Sequence, residues 1–261
     1  RLYQLGELGM PRHVLEQFRH LIRQDHGIIL VTGPTGSGKT TTLYAALQEI
    51  NSQQMNILTL EDPIEYRLEG ISQTQVSDRK GMTFASGLRH VLRQDPDIIM
   101  VGEIRDPETA RMAIQSALTG HLVFSTLHTN DAAGAVARML DLGAEPYLLA
   151  SSLLGSLAQR LVRRVCDRCR APHAPTETEL RRWALGEGET LPGTLVRGAG
   201  CPHCLETGYR ERLGLFELLT VNDAIQERIL SRASAASIKA EAVANGMRTL
   251  RQDGLLKSAE G

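Results

Sequence analysis

The chain has 261 residues, 42% of them apolar, with a formal net charge of −1 and a pI near 6.8. This length predicts one large domain and one or two small ones. The near-neutral charge excludes the uniform positive field of a nucleic-acid-binding or anionic-membrane-binding chain, although it leaves room for a local basic patch. No apolar run reaches the length of a membrane span, and the opening Arg1-Leu2-Tyr3 has neither Met nor a signal pattern, which predicts a piece of a longer cytoplasmic protein.

The first elements predicted along the chain surround a glycine-rich loop. A helix with one apolar face begins at Pro11 and ends at Gly27. The short β-branched run 28–31 then predicts a buried strand, and residues 41–47 predict a helix. The eight residues at 33–40 match G-x-x-x-x-G-K-[ST] in this strand-loop-helix context: Gly33, Pro34, Thr35, Gly36, Ser37, Gly38, Lys39 and Thr40.

This loop predicts binding of a nucleoside triphosphate. Its glycines let backbone N–H groups turn towards phosphate oxygens, and the helix N-terminus that includes Thr41 adds partial positive charge. Lys39 is predicted to reach the β- and γ-phosphates, and the Thr40 hydroxyl is predicted to ligate Mg²⁺. A chance glycine-rich turn is the alternative.

The following segments alternate between strands and helices. Strands are predicted at 56–60, 98–101 and 121–126, with an edge strand at 70–76, and helices at 83–94, 106–120, 131–142 and 146–161. Such alternation predicts an α/β fold with a mostly parallel sheet covered by helices. Ligands in such folds gather at the carboxyl ends of the strands, where Gly33, Glu61, Glu103 and Thr126 all fall.

Glu103 is the favoured catalytic carboxylate. It closely follows a strand predicted to be buried on both faces, where an acid can orient water or hold Mg²⁺ through its shell. Asp97 is the weaker candidate because it precedes that strand. Glu61, with Asp62 and Glu65, forms an acidic cluster at a second strand end. A solvated loop position is the alternative for each of these acids.

Four segments together resemble the secretion ATPases of the type II secretion and type IV pilus family. They are residues 33–44, 57–66, 92–106 and 119–130, which look like its Walker A motif, Asp box, Walker B motif and His box. Gly102-Glu103 stands in place of the usual aspartate of Walker B. The order and spacing agree, and the resemblance extends through nearly the whole chain. It is strongest to the type II secretion members, with the pilus assembly members next.

The resemblance implies a set of roles for individual residues. Glu103 would be the catalytic glutamate, with Lys39 and Glu61 completing the catalytic set. Two histidines, His121 and His128, would lie with Glu61 by the nucleotide, whereas the residues alone indicate only structural or solvent-facing histidines. The resemblance also implies that Arg89 and Arg93 act near subunit contacts in a hexamer, although an exposed helix face explains both equally well.

Two cysteine pairs, Cys166-x-x-Cys169 and Cys201-x-x-Cys204, predict one structural zinc ion. They are separated by 31 residues, longer than the usual zinc-module spacing but compatible with an inserted excursion. A redox pair is the alternative for one of them, and a disulfide is disfavoured in a cytosolic ATPase. Four thiolates complete a closed site, which leaves His173 and His203 as competing ligands only.

The sequence and the resemblance together predict three domains. A RecA-like P-loop ATPase core covers residues 1–160, a zinc-binding insertion covers 161–213, and a small helical domain covers 214–261. Within the insertion, 172–200 is predicted to be a weakly ordered loop with a short helix at 177–185. A strand pair is predicted at 209–219 and a helical stretch at 223–246, with no closing element before Gly261.

The expected function is ATP hydrolysis in a homohexameric ring. Its cycle would drive pseudopilus assembly and protein export, with inner-membrane platform proteins as partners and the protein on the cytoplasmic face of the bacterial inner membrane. Pilus assembly is the alternative within the family. A nucleic-acid translocase is disfavoured by the single Trp and the near-neutral charge, and Glu103 argues against an adaptor that binds ATP without turnover.

Overall fold

The computed structural model describes residues 3–77, 81–183 and 195–260. Within these ranges the strands are β1 Gly27–Thr32, β2 Ile57–Glu61, β3 Ser72–Gln75, β4 Ile98–Val101, β5 Leu122–Leu127, β6 Leu153–Val165, β7 Arg170–Pro172, β8 Val196–Gly198 and β9 Tyr209–Thr220. The helices are α1 Arg12–Leu21, α2 Lys39–Ile50, α3 Phe84–Val91, α4 Pro107–Leu118, α5 Ala132–Asp141, α6 Pro146–Ser152, α7 Glu177–Trp183, α8 Asp223–Leu230, α9 Ala235–Ala244 and α10 Leu250–Glu260.

Seven strands form one mostly parallel sheet, as predicted. Their order is β3-β2-β4-β5-β1-β6-β9, and every neighbouring pair is parallel except β6 with β9. The register aligns Leu60 with Val101 and Thr32 with Leu127, so the carboxyl ends of β1, β2, β4 and β5 share one edge. The predicted edge strand at 70–76 is β3, which is confirmed at the margin of the sheet.

Helices cover both faces of this sheet. Successive side chains of a strand point to opposite faces, so Ile29 and Val31 pack with α1 and α2, whereas Ile28 and Leu30 pack with α4 and α5. All four side chains are inaccessible to solvent. The continuous apolar character of β1 and β4 therefore reflects burial on both faces.

Local chemistry fixes several of the predicted helix starts. The Asp106 carboxylate accepts a hydrogen bond from the Thr109 N–H at 2.9 Å and Pro107 occupies the first turn of α4. The Thr83 hydroxyl likewise accepts from the Ser86 N–H at the start of α3. Each cap satisfies an N–H that has no partner within its own helix.

The predicted helix at 146–161 is wrong in its second half. Only α6 is helical, and the chain then enters β6, which lies between β1 and β9. Gly155 favours this outcome, since a Cβ there would lie 2.8 Å from the Leu219 carbonyl oxygen and 2.7 Å from Leu21. Tertiary packing between two strands thus overrides a helical pattern of apolar residues.

The predicted strand pair at 209–219 is instead the single long strand β9. It pairs antiparallel with β6 from Gly155 opposite Thr220 to Val165 opposite Tyr209. The predicted domain boundaries after residues 160 and 213 both fall inside these two strands, and the division into domains stays a prediction. β7 and β8 form a separate two-stranded sheet. The short helix predicted at 177–185 is observed as α7, and residues 184 and 185 of that prediction lie outside the described residues.

The C-terminal region contains three helices. The helical stretch predicted at 223–246 divides into α8 and α9, because Arg232 adopts a left-handed conformation and Ser234 caps a new helix. The prediction that no element closes the chain is wrong, because α10 packs against β9. The buried Asp253 carboxylate accepts the Phe216 N–H of β9 at 2.8 Å, and the Lys257 ammonium of the same helix donates to the Gly214 carbonyl oxygen at 2.7 Å, so two hydrogen bonds fix this helix to the sheet.

Candidate functional site

The glycine-rich loop joins the carboxyl end of β1 to the start of α2, as its motif predicts. Gly36 and Gly38 have φ angles of 77° and 89°, which favour residues without a Cβ. Gly33 is required for another reason, because a Cβ there would lie 2.4 Å from the Gln159 carbonyl oxygen. Pro34, Thr35 and Gly36 form the exposed rim of the loop, and Thr40 and Thr41 lie in the first turn of α2.

Lys39 lies across the inside of this loop. Its ammonium donates hydrogen bonds to the carbonyl oxygens of Gly33 at 2.8 Å and Pro34 at 3.1 Å. Burial lowers the pKa of Lys39, the Glu103 carboxylate acts in the opposite direction, and Arg160 lowers it further. The loop therefore holds a buried cation with a carboxylate and a second cation in its electrostatic neighbourhood.

Glu103 lies at the same edge of the sheet, two residues after β4. Its carboxylate forms an ion pair with Arg105 and lies 3.5 Å from Nε2 of His128. The strand end is held tightly, since the Gly102 N–H donates to the Leu60 carbonyl at 2.7 Å. The structure thus brings together Lys39, Glu103 and His128, which the sequence predicted separately.

Glu61 also follows the predicted strand end, but its side chain turns into the protein. It is 3% exposed, and its carboxylate accepts hydrogen bonds from the Tyr44 hydroxyl, the Thr59 hydroxyl at 2.5 Å and the Gln73 amide at 3.0 Å. Burial and this hydrogen bond raise the pKa of Tyr44, so its hydroxyl stays protonated and donates. Glu61 therefore ties β2 to α2, the helix that begins with Lys39.

The structure does not bring His121 to the loop. It precedes β5, where its carbonyl oxygen accepts the Gly27 N–H at the amino end of β1. Its Nδ1 lies 2.9 Å from the Ser116 carbonyl oxygen. The parallel register places His128 beyond the other end of the same strand, so the two histidines lie at opposite edges of the sheet.

Sequence reasoning missed Gln159, which supports the loop from β6. This side chain is 3% exposed, and its Oε1 accepts the Thr42 hydroxyl at 2.7 Å. A Cβ at Gly38 would lie 2.8 Å from its Nε2. Two polar residues, Gln159 and Arg160, end an apolar run in the sequence. They indicate a position beside the loop only if that run is a strand next to β1.

Arg89 and Arg93 lie in and just after α3. Arg89 forms an ion pair with Glu108 of α4, and both side chains are about half exposed. This exposed pairing is compatible with a solvated helix face and with a subunit contact alike.

Within the described ranges, no helix combines the length and the apolar character that a membrane crossing requires.

The four cysteines converge, as predicted. Their Sγ atoms all lie within 4.8 Å of one another, with 4.0 Å between Cys166 and Cys201 and 3.8 Å between Cys169 and Cys204. All four are free thiols. Zinc–sulfur bonds of about 2.3 Å in a tetrahedron require Sγ atoms about 3.8 Å apart, so the donor set fits a tetrahedral zinc ion.

The surroundings of Cys204 stabilise negative charge on its sulfur. Cys204 Sγ accepts N–H groups from Cys201 at 3.3 Å and Gly208 at 3.2 Å. Burial alone would raise the pKa of Cys204, but these hydrogen bonds outweigh it and lower the pKa to about 7. Thiolates are the form that binds metal.

Comparisons with known proteins agree along the whole chain. A family model described as Type II/IV secretion system protein matches residues 1–261. The type II secretion system ATPase E of Vibrio cholerae is 55% identical over 257 residues, which is 98% of this chain and 50% of that protein. The type IV pilus assembly ATPase PilB of Thermus thermophilus is 50% identical over 258 residues, which is 99% of this chain and 29% of that protein.

A solved structure also resembles this fold. The pilus retraction motor PilT with bound ADP aligns with a TM-score of 0.65 at 30% identity, covering 97% of this chain and 66% of that one. The chain spans about half the length of the Vibrio cholerae relative. Because the family model matches the chain from end to end, the chain belongs to the type II/IV secretion system protein family.

Proposed function

We propose that this chain is the RecA-like P-loop motor region of an ATPase that hydrolyses ATP to drive type II secretion. The observation that carries the proposal is the glycine-rich loop closed by Lys39, with Glu103 beyond the end of β4, two strands away on the same edge of the sheet. Support comes from the names of the relatives in Vibrio cholerae and Thermus thermophilus, and from the ADP bound to the pilus retraction motor.

Each residue of the site has a distinct proposed task. The loop N–H groups and Lys39 bind the phosphates, and the Thr40 hydroxyl holds Mg²⁺, which neutralises phosphate charge when it is bound. Glu103 orients the attacking water, and His128 beside it holds the carboxylate in place. Of the two predicted catalytic glutamates, Glu103 is favoured because Glu61 is buried with its oxygens already hydrogen-bonded.

The proposed cellular role follows from the relatives. The whole protein would form a homohexamer on the cytoplasmic face of the bacterial inner membrane, bind the platform proteins there, and drive pseudopilus assembly. Pilus assembly is the second candidate, because the Thermus thermophilus relative is 50% identical over 99% of this chain. Higher identity to the Vibrio cholerae relative, at 55%, favours secretion.

We further propose that Cys166, Cys169, Cys201 and Cys204 hold a structural zinc ion. The spacing of their Sγ atoms and the absence of a disulfide among them support this assignment. Bound zinc would supply a crosslink between the end of β6 and the segment before β9. It has no proposed part in ATP hydrolysis.

Two experiments test the function. Phosphate release from Mg-ATP should be detectable with the purified chain and lost in Lys39→Ala; equal rates would refute the assignment of the loop. The full-length protein should copurify with detergent-solubilised inner-membrane platform proteins of the secretion system. Copurification with the pilus platform alone would instead assign it to pilus assembly.

A further inference from the structure

Arg160 lies beside the glycine-rich loop, on the strand next to β1. β6 runs parallel to β1 with Ala158 opposite Thr32, so Arg160 lies beyond the carboxyl end of β1, where the loop begins. Its Nη2 donates hydrogen bonds to the carbonyl oxygen of Asn130 at 3.1 Å and to Oδ1 of the same residue at 3.2 Å. Asn130 follows β5, so the guanidinium is anchored on the edge of the sheet that carries the candidate site.

The other terminal nitrogen of Arg160 lacks a partner. Nη1 is buried and has no hydrogen bond among the residues that the structure describes. A buried, unsatisfied donor on a charged group costs free energy unless a ligand supplies the acceptor. The loop hydroxyl of Ser37 is also buried without a partner in the described part of the chain, so two orphaned polar groups lie around one loop.

The local charges favour an anion as that ligand. Burial lowers the pKa of Lys39 and the charge of Arg160 lowers it further, which means that the two cations lie close enough to repel each other. Glu103 is the carboxylate that offsets this repulsion at Lys39, but its own ion pair is with Arg105, and its other oxygen lies 3.5 Å from Nε2 of His128. A phosphate group is the acceptor that two adjacent cations would share.

We propose that Arg160 is a second cationic contact to the β- and γ-phosphates of the nucleotide held by the loop, supplied by the same chain as Lys39. This inference rests on the proposed ATP-binding function. A guanidinium has a fixed fork of donors that suits phosphate oxygens. With Nη2 anchored on Asn130, the orientation of the unpartnered Nη1 is set before the nucleotide binds, which reduces the entropic cost of forming the contact.

The test compares the binding of Mg-ATP and of inorganic tripolyphosphate by calorimetry. Arg160→Gln should weaken both about 10- to 100-fold, the range expected for loss of a charge-assisted hydrogen bond. Tripolyphosphate has no base or ribose, so a parallel loss assigns the contact to the phosphates. Arg163→Gln is the matched control, because Arg163 is an exposed residue of the same strand that stacks on Tyr209 with 4.1 Å to the ring centroid.

Each outcome distinguishes this inference from the proposed function. Unchanged affinity in Arg160→Gln, alongside a loss in Lys39→Ala, would overturn the inference and reduce Arg160 to a support for Asn130. A wild-type chain that binds neither ligand would refute the function and the inference together. If Arg160→Gln does not fold, Arg160→Lys is used instead, because it keeps the positive charge but not the fork of donors. A loss of affinity of about fivefold or more for both ligands would support the contact, and unchanged affinity would refute it.

Discussion

Removing the Tyr44 hydroxyl should destabilise the chain, because this group is one of three donors to the buried Glu61 carboxylate. Tyr44 has no solvent exposure and Glu61 has 3%. Tyr44→Phe keeps the ring and its edge-on contact with Tyr66, whose centroid lies 4.7 Å away. The carboxylate would then retain two donors, from Thr59 and Gln73, and water cannot replace the third without opening the core.

The magnitude follows from the charge of the acceptor. A hydrogen bond to a charged group contributes about 1.5–3 kcal/mol, so the free energy of unfolding should fall by about 2 kcal/mol. For a chain of this size, that change corresponds to a midpoint of thermal unfolding roughly 4–8 °C lower. Differential scanning calorimetry of the wild type and the variant measures it.

Tyr66→Phe is the matched control for this experiment. It removes the hydroxyl of the other ring in the same pair, for which the described residues show no hydrogen bond, and should change the unfolding free energy by less than about 0.5 kcal/mol. Equal effects of the two variants would refute the reasoning, because the Tyr44 hydroxyl would then contribute no more than a hydroxyl without a hydrogen bond among the described residues. The hydrogen bond to Glu61 would then contribute nothing measurable.

Three further predictions concern the remainder of the fold. Cys166→Ser with Cys201→Ser should lose about one bound zinc per chain by elemental analysis while the nucleotide site stays folded. A metal-free, fully folded wild type with a disulfide would contradict this. Gly155→Ala should lower the unfolding free energy by about 1–3 kcal/mol in denaturant titration. Gly6→Ala is the control and should leave the unfolding free energy near wild type, because a Cβ there meets nothing within 4 Å. Equal effects of the two variants would refute the close approach of β6 and β9. Asp253→Ala should lower the unfolding free energy by about 2 kcal/mol or more in the same assay, because it leaves the Phe216 N–H without an acceptor and removes the counter-charge of the largely buried Lys257 ammonium; an unchanged midpoint would refute the docking of α10 through this carboxylate.

The sequence was sufficient where one local pattern determines one structure. The loop at 33–40, the cap at Asp106 and the buried run of β4 each combine composition with spacing, and each forms as predicted. The prediction that Gly33 and Glu103 lie at the same edge of the sheet required only that the strands be parallel. These features depend on short stretches of chain and on a general rule of sheet architecture.

The features that the sequence did not predict depend on contacts between distant segments of the chain. Leu153 to Val165 has the apolar content of either a helix or a strand, and only its position between β1 and β9 decides. The inward turn of Glu61 depends on Tyr44 and Gln73, which lie on different elements. The motif resemblance placed His121 by the nucleotide, whereas the register of β5 puts it at the opposite edge of the sheet within this chain.

The central claim is that Lys39 binds the nucleotide and Glu103 catalyses its hydrolysis. Measuring ATP binding and phosphate release on the same variants tests this claim most directly. Asp97→Asn is the matched control, because Asp97 precedes β4 at the opposite end from Glu103 and accepts the Asn56 N–H at 2.6 Å. It should leave both properties near wild type. Lys39→Ala should lose binding and hydrolysis together. Glu103→Gln should bind ATP within about threefold of wild type and release phosphate about 10² times more slowly or worse, whereas hydrolysis at the wild-type rate would contradict the account.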